Sequence, residues 1–173
     1  MIEVKQRLAT GDQTGCIDSA ESATMPTFKR ILVAVDGSPT SNKALAAAAD
    51  LARTQGGRIR IVHSIDELLY LSGFDASAEV FSIMRADGEK VLKEAARVAA
   101  AAGVEAECDL IDKPGQRLGE VVAHEALSWD ADLVVVGTHG RHGMGRVLLG
   151  SGAEQIIRSS PVPVLVIRAD ESA

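Results

Sequence analysis

Arg30-Ile31-Leu32-Val33-Ala34-Val35-Asp36-Gly37-Ser38 is an apolar, largely β-branched run that stops abruptly at an Asp-Gly pair. A strand that is apolar toward both faces belongs inside a parallel sheet, where helices cover each side. Ser38 can cap the following helix and Pro39 can occupy its first position. Ala44, Leu45, Ala48, Leu51 and Ala52 then fall on one helical face, and Gly56-Gly57 is a stop signal. A second strand, Arg58 to Ser64, completes a βαβ unit.

The alternation continues outward from this unit. A long connection from Ile65 to about Ala78 carries Leu68, Leu69, Tyr70, Leu71 and Phe74, which is unusually apolar for a loop. A helix reaches Ala102, with Met84, Val91, Leu92, Ala95, Val98 and Ala99 on its inner face and Gly103 as its end signal. The third strand, Val104 to Ile111, alternates with Glu105, Glu107 and Asp109, as an edge strand with one wet face would. Lys113-Pro114-Gly115 turns into a helix on which Leu118, Val121, Val122, Glu125, Ala126 and Trp129 share a face. Asp132-Leu133-Val134-Val135-Val136 reads as a buried fourth strand, a short helix starts near Ser151, and Val162 to Ile167 forms the fifth strand. The fold expected is α/β: a single doubly wound open sheet of five parallel strands, order 3-2-1-4-5, with helices on both faces. It spans residues 28–169, between a flexible tail at 1–27 and a short tail at 170–173.

Composition narrows the function classes. The chain has 173 residues, with 18 Lys plus Arg against 24 Asp plus Glu, for a net charge of −6. Such a charge repels a nucleic-acid backbone unless the basic residues gather on one face, and no nucleic-acid partner is expected. No apolar run approaches the ~20 residues of a membrane span, and the N-terminus lacks the compact apolar stretch of a signal peptide. Cys16 and Cys108 have neither disulfide-framework nor zinc spacing. A cytoplasmic protein without a membrane partner is expected.

Ligands of open α/β sheets bind beyond the carboxyl ends of the strands, where strand order reverses. Strands one and four meet there. Asp36-Gly37-Ser38 follows the first, and Gly137-Thr138-His139-Gly140 followed by Arg141-His142-Gly143-Met144-Gly145-Arg146 follows the fourth. Glycines let backbone amides approach an anion, and Gly150-Ser151 opens a helix whose N-terminus favours negative charge. Asp36 suits a ribose diol, and Arg141 and Arg146 are the basic candidates for phosphate charge. Val136, the last residue of strand four, adjoins this set.

The spacing Gly137-x2-Gly140-x9-Gly150-Ser151 resembles the nucleotide-binding signature of the universal stress protein family. Lys29 to Ser38 resembles that family's opening strand with its ribose-binding acid, and Pro161 to Arg168 resembles its closing strand. The resemblance implies ATP or a related adenine nucleotide, with Mg²⁺ accompanying it. Ala34 and Ser64 would lie near the base, Asp36 at the ribose, and Gly137, Gly140, Gly150 and Ser151 at the phosphates. It also implies a homodimer through the fifth strand, Val162 to Ile167, whose apolar edge invites pairing.

Other chemistries find less support. The four histidines, His63, His124, His139 and His142, form no ligand pair. Gly150-Ser151-Gly152 is not a nucleophile elbow, and neither a Walker loop nor a full dinucleotide fingerprint is present. The leading reading is therefore a nucleotide-responsive stress or regulatory protein. The alternative is a slow ATP hydrolase using the same phosphate loop, although that loop offers no carboxylate to position water.

Overall fold

A computed structural model of the chain describes residues 26–65, 78–113, 115–138 and 149–168. The tails up to residue 25 and from residue 169, the apolar connection with Leu68 to Phe74, Pro114, and the glycine-rich segment 139–148 lie outside the described residues.

Five strands form one parallel sheet: β1 (Arg30–Ala34), β2 (Arg58–Ser64), β3 (Ala106–Ile111), β4 (Leu133–Gly137) and β5 (Val164–Ile167). The described helices are α1 (Pro39–Gln55), α2 (Ala78–Ala101), α3 (Leu118–Ser128) and α4 (Ser151–Ser159). The strand order is β3-β2-β1-β4-β5, as the residue pattern predicts.

Alternation along β1 divides the core. Ile31 and Val33 pack toward α1 and α2, with Ala44, Leu45, Ala48, Leu92, Ala95 and Ala99. Leu32 points to the other side, among Val121, Val122, Ala126 and Ile156 of α3 and α4. Each fully buried aliphatic side chain contributes about 1.5–3 kcal/mol. A strand buried on both faces therefore anchors the fold more strongly than the half-covered β5 can.

Local chemistry sets the boundaries. Ser38 Oγ accepts from Ser41 N–H at 3.1 Å at the start of α1, and Gly56, at φ 63°, ends that helix. The third strand begins at Ala106, not Val104, because Val104 N–H donates to Ala99 O at 3.1 Å and closes the end of α2 instead. The fifth begins at Val164, not Val162: Pro161 and Pro163 have no N–H for a ladder, although Pro163 O still accepts from Val134 N–H at 3.0 Å.

Glu107, a charged residue of β3, is partnered across the sheet. It accepts from Arg60 at 2.7 Å and from Trp129 Nε1 at 3.1 Å. Glu125, which is buried, lies 3.6 Å from Arg60 and 3.4 Å from Lys113. Arg30 Nε donates to Trp129 O at 2.7 Å, and its guanidinium sits 4.5 Å above the Trp129 ring. The hydrogen bond from Arg60, then that from Trp129, holds Glu107 below the usual glutamate range, with partial burial opposing them and losing. Trp129 therefore caps α3 and braces a polar corner as well as packing.

Candidate functional site

Because all five strands are parallel, their carboxyl ends share one edge, and β1 and β4 are neighbours at the reversal. The chain leaving β1 turns at Gly37, whose φ of 80° suits glycine. Half-buried Asp36 accepts from Ser38 N–H through Oδ1 at 3.0 Å, and its own N–H donates to Ser41 Oγ at 3.4 Å. Ser41 Oγ in turn donates to Ser38 O at 3.0 Å. The N-terminus of α1 is thus closed by its own side chains.

The N-terminus of α4 is built differently. Gly150, its N-cap, is extended at φ −64° and ψ 151° and has no side chain to cap the helix. Gly150 N–H donates to Thr138 O at 2.7 Å, while Thr138 N–H donates to Ile167 O at 2.8 Å. These bonds join the chain leaving β4 to the start of α4 and commit the Gly150 amide internally. Helix geometry leaves the Ser151, Gly152 and Ala153 amides without intrahelical acceptors, and Ser151 is exposed. This uncapped terminus, on the ligand edge of the sheet, is the one suited to an anion.

The remaining candidates divide by role. Ala34 and Ser64 end β1 and β2 and are both half-buried. Val136 is buried and its side chain belongs to the core on the α3–α4 side, which leaves its backbone as the part that can face a ligand. A Cβ at Gly137 would lie 3.0 Å from the Thr40 carbonyl carbon and Cγ2, so this glycine also lets the first turn of α1 close on β4. Gly140 and Arg141 lie outside the described residues. The residue pattern placed Thr138 only within the phosphate loop, weighed His63 only as a metal ligand, and did not single out Ser41. Among the described residues no group of His, Cys, Asp or Glu is arranged to hold a metal.

Residues 27–168 match the model of the universal stress protein family. The chain belongs to that family. A putative universal stress protein of Staphylococcus haemolyticus is 35% identical over 149 residues, 85% of this chain and 88% of the relative. The structure of a universal stress protein family member from Burkholderia pseudomallei is similar at 29% identity and TM-score 0.65, over 83% of this chain and 98% of that one. A universal stress protein of Archaeoglobus fulgidus in complex with dAMP is similar at 25% identity and TM-score 0.62, over 82% and 99%.

Proposed function

We propose that this universal stress protein is a cytoplasmic, nucleotide-responsive regulator that binds ATP or a related adenine nucleotide between the ends of β1 and β4. The observation that carries the reading is the pairing of an uncapped α4 N-terminus with the Asp36 carboxylate at the strand-order reversal. Phosphate is assigned to the Ser151 end, the ribose to Asp36, and the base to Ala34 and Ser64; the sequence signature alone assigns Gly140 and Arg141 to the phosphate as well. Mg²⁺ is assigned to the nucleotide and not to a protein cage. The dAMP complex of the Archaeoglobus relative supports an adenine nucleotide as the ligand class. At a hundredfold excess over its dissociation constant, AMP or ATP with Mg²⁺ should add ~2.7 kcal/mol of stability, roughly 5 to 10 °C in melting temperature. Asp36→Ala should reduce that shift. A wild-type protein that shows no shift with any adenine nucleotide would end this reading.

The same proposal includes a homodimer through β5. This strand lies at the edge of the sheet, and its Leu165 is 37% exposed. An unpaired apolar edge is a template for another strand, and a two-fold pairing closes the assembly. Val166 packs against the α3–α4 core, so Leu165 is the better position to disrupt. Leu165→Lys should convert a dimer to a monomer in sedimentation at tens of micromolar. A monomeric wild type under those conditions would remove the dimer.

A further inference from the structure

His63 is the penultimate residue of β2, and its Nδ1 lies 2.7 Å from Val35 O, just beyond the end of β1. A carbonyl oxygen can only accept, so Nδ1 carries the proton and, in the neutral ring, Nε2 is the bare nitrogen. Val35 C=O and Asp36 N–H are the two ends of one planar peptide unit. Its N–H donates to Ser41 Oγ at 3.4 Å. Sheet pairing holds the preceding amide, Val35 N–H, on Val62 O at 2.9 Å. The peptide that leads into Asp36 is therefore held at both ends by side chains, one from β2 and one from α1.

The ring itself is packed in place. A Cβ on Gly88 of α2 would lie 2.9 Å from His63 Cδ2 and 2.6 Å from Leu110 Cδ1. The imidazole thus lies against the helix backbone at a point where no side chain intervenes. Freed at its carbonyl end, the planar unit could rotate about the bonds on either side and swing the Asp36 Cα–Cβ direction with it.

We propose that His63 is a positioning residue for the nucleotide: by holding the Val35 carbonyl it sets the direction in which the Asp36 carboxylate meets the ribose. The inference rests on the nucleotide-binding reading above. The test measures calorimetric affinities for AMP and for its dideoxy analogue, which lacks both ribose hydroxyls. His63→Phe keeps the ring volume without the donor, whereas His63→Asn places an amide N–H where Nδ1–H stands. Wild type should prefer AMP. His63→Phe should lose about tenfold in AMP affinity and most of that preference, and His63→Asn should restore both. If His63→Phe does not fold, His63→Gln, whose amide reaches toward the Nε2 position instead, takes its place and should fail in the same way. A purely structural role would lower the melting temperature and leave the ratio of the two affinities unchanged, and that result overturns the inference. A wild type that binds both ligands equally also overturns it, whereas a wild type that binds neither ligand removes the nucleotide-binding reading and this inference with it.

Discussion

Gly119→Val is expected to lower stability by roughly 3 kcal/mol, or about 6 to 12 °C in melting temperature, and to weaken AMP binding although Gly119 is no part of the proposed site. A Cβ at this position would lie 2.5 Å from Gln155 O, 2.8 Å from the same carbonyl carbon and 2.9 Å from Ser159 Oγ. The closest obstacle is backbone, so α4 must move to make room. Replacing glycine by alanine inside a helix ordinarily gains up to about 1 kcal/mol. That gain is smaller than the ~1–3 kcal/mol cost of overpacking, and valine adds bulk while giving up part of the propensity gain. The movement has two consequences. Ala153 and Ile156, buried on α4, lose their fit against Val121, Val122 and Val136. The Ser151 end of α4 also shifts relative to Thr138, which holds Gly150 in place. Urea unfolding and an AMP titration check both effects, and a variant with unchanged midpoint and affinity would mean that the α3–α4 contact is softer than its geometry implies.

Gly150→Val should separate binding from folding. The residue is extended with a negative φ, which valine adopts without strain, so the fold should survive at a cost of about 1 kcal/mol from the poorer cap. Its side chain would stand at the helix terminus to which phosphate is assigned, and AMP affinity should fall on the order of a hundredfold or more. Ser151→Ala removes one hydroxyl worth about 0.5 to 3 kcal/mol, so affinity should fall several-fold to about a hundredfold. Adenosine, which has no phosphate, should be nearly indifferent to the serine change. Isothermal titration with AMP and adenosine reads all of this. Equal losses for adenosine and AMP on Ser151→Ala would place the phosphate elsewhere.

Much of this was legible from the residues. Uniformly apolar runs at Ile31 to Val35 and Leu133 to Val136 identified the central strands because burial on both faces leaves no polar alternation. Ser38-Pro39 and Gly56 marked the ends of α1 through local capping, which the structure reproduces. Contacts made at long sequence separation were less visible. Glu107 reads as a solvated residue of an edge strand, yet it accepts from Arg60, 47 positions earlier, and Trp129, 22 positions later. Gly119 carries no signal of its own in the sequence, and only the fold places Gln155 O 2.5 Å from where its Cβ would be. Gly150 reads as a donor to phosphate, but Thr138 O takes its amide, and only the fold brings those two residues together.

Trp129 is the only tryptophan in the chain, and it sits where β1 and β4 begin. That is the opposite edge of the sheet from the uncapped helix and Asp36. Its indole is 4% exposed, donates to Glu107 and lies beneath the Arg30 guanidinium. Its fluorescence therefore comes from a buried, hydrogen-bonded ring whose surroundings change when the α3 side of the core opens and not when a ligand enters the crevice. The protein carries its own optical reporter of global unfolding, separated by the length of the strands from the chemistry it would be used to monitor.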